Sequence, residues 1–214
     1  MHVLITGANR GIGARLAADY ADRGDRVMAT SRDGSTGVAL DVTDPGAHAA
    51  LAAQLGDSPL DLLICNAGVY LDKGQTLDDG YAPHMWADSF AANVTGVFLT
   101  IQSVLPNLRA ASSAKIAIIS SQMGSDTRAP GGSYIYRASK AAVLNLGRNL
   151  ASDLAGERIA VGIYHPGWVR TDMGSSAAEI SVEESSSGLM ARFDHLSLET
   201  TGCFETWDGR AHPY

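Results

Sequence analysis

The stretch HVLITGANRGIGARLAADYADRG, residues 2–24, decides the fold. Residues 2–6 are a short apolar run, and glycines 7, 11 and 13 follow at once. ARLAADYADRG (14–24) then carries apolar residues at helical spacing and stops at Gly24, the residue type that most easily closes a helix. Strand, glycine turn and helix, in that order, open a βαβ unit. Glycine permits the tight turn and lets backbone N–H groups approach a pyrophosphate. The helix behind it presents its positive N-terminus to that anion. The strand before and the helix after make this a dinucleotide cradle rather than an ordinary turn.

The same alternation continues along the chain. Short apolar strands are expected at 26–30, 37–42, 60–65, 114–120, 158–165 and 202–209. Helices are expected at 44–56, 85–110 (as one long helix), 136–156 and 181–196. The helix at 44 opens with an Asp N-cap and a proline, and that at 181 with an S-x-x-E capping box. GSTGV (34–38) stands where another crossover helix would fit, so the second crossover is expected to be abbreviated. Alternating strands and helices mean an α/β fold: a doubly wound parallel sheet with helices on both faces. One domain is expected over 1–214. Its dinucleotide-binding part spans about 1–120, and its catalytic and substrate part about 121–214.

Composition narrows the function. The chain has a formal net charge of -7 and no basic run, which argues against a general nucleic-acid binder. No stretch approaches the roughly 18 consecutive apolar residues of a membrane span. MHVLITG enters a strand directly and lacks a signal-peptide pattern. Cys65 and Cys203 cannot make a disulfide framework. The location these features imply is cytoplasmic. The histidines are scattered, so no metal site is expected.

The spacing G-x-x-x-G-x-G resembles the short-chain dehydrogenase/reductase superfamily, whose glycine motif is T-G-x-x-x-G-x-G. The resemblance continues through CNAG (65–68), Asn93 in ANVTG, Ser121 after the fifth strand, YRASK (136–140) and PGWVRT (166–171), in order over residues 3–173. It implies a Rossmann-type fold and a nicotinamide cofactor. It places cofactor contacts at Gly7, Asn9, Arg10, Gly11, Ile12 and Gly13, at Asn66, Ala67 and Gly68, and at Pro166, Gly167, Val169 and Thr171. The family's equivalent of Asp41-Val42 holds the adenine; the other reading of Asp41 is a cap of the following turn. Two departures stand out. Cys65 replaces the first Asn of N-N-A-G, and the interval from Ser121 to Tyr136 exceeds the usual one. The second keeps Ser120 in contention as the catalytic hydroxyl beside Ser121.

The second strand ends in Ser31-Arg32, with no carboxylate until Asp33. An acidic residue there would bind a ribose 2′-OH and repel a 2′-phosphate. Arg32 and Arg10 suit a dianionic phosphate instead. NADP(H) is therefore expected over NAD(H).

Two tyrosines precede Lys140 in GGSYIYRASK (131–140). Residues four apart on a helix lie about 40° apart, so Tyr136 shares a face with Lys140, whereas Tyr134 lies about 240° round. A nearby ammonium is expected to draw the phenol of Tyr136 towards working pH. The resemblance implies a tetrad of Asn93, Ser121, Tyr136 and Lys140. In it, Tyr136 gives the proton and Lys140 also meets the nicotinamide ribose. Ser121 supports the substrate oxygen and Asn93 holds a water leading to Lys140. His165 is read as structural.

GGSYIYRASKAA, HPGWVRTDMG and the late WDG resemble the C-factor and sniffer-like carbonyl reductases. Reduction of a small ketone or aldehyde is expected. The alternatives are a cofactor-binding signalling or scaffold protein of the C-factor type and a dinucleotide-regulated sensor. Residues 70–86 and 172–195 are expected to shape the substrate rim, with Trp86, Met123 and Trp168 as walls or as core. The helices at 85–110 and 136–156 are expected faces of a homodimer or homotetramer.

Overall fold

The computed structural model describes residues 1–214. Seven strands form one parallel sheet: β1 (His2–Ile5), β2 (Arg26–Ser31), β3 (Val38–Ala39), β4 (Leu62–Cys65), β5 (Ala114–Ile119), β6 (Ile159–His165) and β7 (Phe204–Thr206). Their order across the sheet is β3-β2-β1-β4-β5-β6-β7. The order reverses direction between β1 and β4, which opens a crevice at the carboxyl ends of the strands. Register is tight in the centre, with Val3 opposite Leu62 and Leu63 opposite Ile116.

The period-two alternation of strand side chains sends neighbours to opposite faces. Leu4, Leu63, Cys65, Ile116, Ile118 and Val161 form one core. They pack with α2 (Pro45–Leu55), α4 (Gly96–Ala110) and α5 (Tyr134–Leu154). Val3, Ile5, Leu62, Ile64, Ala117 and Tyr164 form the other, under α1 (Gly11–Asp22) and α6 (Val182–His195). Both faces are covered, so the strands read as unbroken apolar runs.

The caps fall where the sequence places them. Asp44 accepts from the Gly46 amide, and Ser181 and Glu184 form the complete capping box. The second crossover has no helix: residues 32–37 turn straight into β3. β3 keeps only two residues, shorter than the expected 37–42.

The expected single helix at 85–110 starts at Pro83 and is interrupted. α3 (Pro83–Phe90) runs into one wide π-helical turn, Ala91–Thr95, before α4 continues. Asn93 sits in the middle of that turn and is buried. By length and composition Pro83–Ala110 reaches the range of a membrane span. In the fold, Val97, Ile101, Val104 and Leu108 of its α4 part lie in the core against the sheet.

Candidate active site

The glycine turn is built against the loop after β4. Gly7 (φ 66°) lies so close to Ala67 that an added Cβ would stand 2.9 Å from the Ala67 Cα. A Cβ on Gly13 would stand 2.3 Å from the Gly7 carbonyl and 2.4 Å from Asn66 Nδ2. Asn66 donates from Nδ2 to the carbonyls of Thr6 (3.0 Å) and Gly7 (2.9 Å). The Thr6 hydroxyl accepts from the amides of Asn66 and Ala67. These bonds hold the turn open at the N-terminus of α1. That terminus has no side-chain cap and no acidic residue in its first turn, so its amides and positive dipole face the crevice.

The expected phosphate-binding residues divide. Arg32 is exposed and makes no ion pair; it lies near Asp41, whose carboxyl is held below the usual range chiefly by the hydrogen bonds from Thr43, with Arg32 adding to that. Arg10 is instead paired with Asp172 across the cleft, Nη1 to Oδ2 at 2.9 Å. Ser31 is buried and its hydroxyl bonds Thr36, donating to the carbonyl and accepting from the amide. That hydroxyl secures the β2–β3 loop, which places Ser31 beside Arg32 at the end of β2. Asp41 caps its turn through Oδ1, which accepts from the Thr43 amide (2.9 Å) and hydroxyl (2.8 Å). Its Oδ2 stays free of protein partners, so both readings of Asp41 are compatible.

The four candidate catalytic residues converge. Asn93 is buried, and its Oδ1 accepts from the Val69 amide (2.8 Å). Its Nδ2 donates to the Val69 carbonyl (2.9 Å) and to Ser139 Oγ (3.0 Å). Lys140 donates from Nζ to the Ile119 carbonyl at 3.0 Å. Its Nζ and Asn93 Oδ1 lie 3.6 Å and 3.0 Å from where a Gly68 Cβ would stand. The Ser121 Oγ accepts from the Met123 amide at 3.1 Å; burial raises the Tyr136 phenol, and Ser121 is the group that eases its ionisation. Ser120 is turned away: its hydroxyl donates to the Lys140 carbonyl at 3.0 Å. Gly124 packs on the same backbone, where a Cβ would lie 2.6 Å from the Lys140 carbonyl carbon. Tyr134 is the first residue of α5 and is largely exposed.

The electrostatics correct one expectation. Burial raises the Tyr136 phenol above its ordinary value, and Tyr70 and Asp72 add to that; Ser121 opposes it. The Lys140 ammonium sits over the ring, 5.6 Å from its centroid. Burial lowers Lys140 itself to about 8. His165 is buried and held down to about 3, so it is neutral and plays no acid–base part near neutrality. Burial pushes the Cys65 thiol up to about 12, which leaves it inert.

The residues expected to meet the nicotinamide lie in the loop after β6. Gly167 (φ 91°) turns beneath Ile180 and Trp207, and the Pro166 carbonyl accepts from Ser185 Oγ at 2.6 Å. Val169 bridges to Ile180. Thr171 Oγ1 accepts from the Gly174 amide at 3.1 Å. Thr171 also reaches the glycine turn, with its Cγ2 3.3 Å from where a Gly11 Cβ would stand. Trp86 and Trp168 are 38% and 44% exposed, so they are surface residues rather than core. Met123 is half-buried in a recess with Gln122, Arg128, Pro130 and Arg137. Sequence reading missed Tyr70 and Asp72. Tyr70 stacks on Tyr136 with centroids 4.2 Å apart, and Asp72 is fully buried beneath α5.

Residues 1–180 match the family model described as short chain dehydrogenase. The chain belongs to that family. It is 34% identical to a 1-hydroxy-2-glutathionyl-2-methyl-3-butene dehydrogenase of Rhodococcus sp. (strain AD45), over 97% of this chain and 96% of that one. It is 35% identical to the C-signal of Myxococcus xanthus, over 77% of this chain and 99% of that protein. The NADPH-bound carbonyl reductase from chicken fatty liver superposes with a TM-score of 0.91 at 32% identity, covering 100% and 98% of the two chains. The resemblance read from the motifs is thereby borne out, as are the Rossmann-like α/β fold and oxidoreductase class.

Proposed function

We propose that the chain is an NADPH-dependent reductase that reduces the carbonyl of a small ketone or aldehyde, reversibly, with Tyr136 as general acid and base. The observation that carries this is the convergence of Ser121, Tyr136 and Lys140 in one buried place beside the glycine turn. The uncapped, acid-free N-terminus of α1 suits a pyrophosphate. Arg32 suits a 2′-phosphate, and the NADPH bound by the chicken carbonyl reductase supports that cofactor. The nicotinamide, when bound, supplies the hydride.

The chain's own residues do the rest. Ser121 donates to the substrate oxygen and stabilises charge as it develops there. Tyr136 gives that oxygen its proton. Lys140, held by the Ile119 carbonyl, keeps a positive charge beneath the ring and orients the ribose. Asn93 braces the turn between Val69 and Ser139. Val169 and Thr171 orient the nicotinamide so that one face meets the substrate. Tyr136→Phe should keep NADPH affinity and lower turnover at least about a hundredfold. Wild-type turnover in that variant would move the proton donor elsewhere.

The similarity to C-signal favours a second reading, a cofactor-binding signalling protein with little turnover. NADPH binding without reduction of any carbonyl in a broad panel would select it. We also propose a cytoplasmic location and a homodimer through the long helices, where Phe98 is 40% exposed.

A further inference from the structure

The loop after β4 reaches across the site to the start of α5. Asp72 is fully buried and makes no ion pair. Its carboxylate accepts from the backbone amides of Ile135 (2.8 Å) and Tyr136 (3.2 Å), in the first turn of α5. The residue at the helix's own cap position, Ser133, is left-handed (φ 49°) and makes no side-chain cap. Its hydroxyl pairs with the Tyr70 hydroxyl instead, at 2.5 Å. The Tyr70 ring lies on that of Tyr136 at an interplanar angle of 22°. A residue more than sixty positions upstream in the chain thus performs the cap, and its neighbour clamps the tyrosine.

An ordinary Ser, Thr or Asn at the cap position would satisfy an orphan amide there at little cost. A buried carboxylate is costly unless its hydrogen bonds are good, and the helix dipole only partly offsets that cost. The costly cap sits where it holds the peptide of Tyr136 itself. We propose that Asp72 is a positioning residue for the reaction: its carboxylate, with Tyr70 stacked beside it, fixes the first turn of α5 and so the direction of the Tyr136 phenol. The proposal rests on the reductase reading above.

The groups facing the phenol are Ser121, Tyr70 and Asp72, with Lys140 below the ring. Asp72 opposes ionisation of Tyr136.

The test compares Asp72→Asn, Tyr70→Phe and Tyr136→Phe with the wild type, using NADPH and para-nitrobenzaldehyde. Asp72→Asn should bind NADPH within twofold of wild type, keep its KM for the aldehyde within about threefold, and lose at least tenfold in kcat. A lowered Tm with wild-type kcat would reduce Asp72 to a plain helix cap and overturn the proposal. Tyr70→Phe keeps the stack and removes only the bond to Ser133. It should lose severalfold in kcat with NADPH affinity intact. If Asp72→Asn does not fold, wild-type kcat in Tyr70→Phe overturns the proposal in its place. An inactive Tyr136→Phe beside a fully active Asp72→Asn rejects the Asp72 assignment alone. A fully active Tyr136→Phe moves the proton donor elsewhere and overturns the Asp72 proposal with the reductase reading intact, whereas a wild type that reduces no carbonyl with NADPH rejects the reductase reading itself.

Discussion

Lys140 and Tyr136 are moved in opposite directions by the same burial. The lysine falls to about 8 and the tyrosine rises above its ordinary value. Reduction uses a protonated phenol and a charged ammonium, and both are present at neutral pH. As pH rises, the lysine charge is lost first. The kcat/KM for reduction should therefore hold from neutrality to about 8 and fall beyond it. Initial rates across buffers check this, and a profile flat into strongly alkaline buffer would contradict it. The paired serines separate as sharply. Ser120→Ala removes a buried bond to the Lys140 carbonyl and should cost about 1 kcal/mol of stability with kcat nearly unchanged. Ser121→Ala should lower kcat at least about tenfold, and equal kcat losses in the two variants would undo the distinction. At this scale the motif spacing made Tyr136, Lys140 and Asn93 legible, because all lie in short runs with fixed helical or strand context. Asp72 was not legible. It lies in a polar loop among other acids, and its partners are two backbone amides in a helix distant along the chain.

Among the elements, α1 and the β2–β3 loop carry the cofactor argument. Arg10 is tied to Asp172, but both side chains are more than two-thirds exposed, so water screens the pair and a dianionic phosphate can displace Asp172. Arg32 has no such partner. Arg32→Ala should weaken NADPH binding about tenfold or more while changing NADH binding little; equal weakening of both in fluorescence titrations would remove the phosphate assignment. The glycine turn makes a second claim. A Cβ at Gly13 meets the Gly7 carbonyl and the Asn66 amide that secures the turn. Gly13→Ala should therefore lose about 1–3 kcal/mol of stability and most of its NADPH affinity, read by thermal melts and titration. Strands, caps and the missing crossover helix were legible from apolar runs, Asp44-Pro45 and the Ser181–Glu184 box. The π turn at Ala91–Thr95 was not. Its apolar pattern is that of a continuous helix, and the partners of Asn93 within the turn, Val69 among them, lie far away along the chain.

The whole molecule arranges these pieces by topology. The strand order places the glycine turn after β1, Asn66–Gly68 after β4, Ser121 after β5 and Pro166–Thr171 after β6 at one edge of the sheet. Four loops far apart in sequence therefore share one crevice. Alternating apolar strands and helices were enough to expect the doubly wound sheet. They were not enough to show which rim residues would fold inward, because that depends on α5 and the loop after β4 meeting. The account's central claim is that this crevice binds NADPH for carbonyl reduction. The most direct measurement is a fluorescence titration of the wild-type chain with NADPH and with NADH, followed by NADPH oxidation with a carbonyl panel. The account predicts saturable binding that is tighter for NADPH, and turnover with at least one aldehyde or ketone. No binding of either nucleotide at millimolar concentration would contradict it.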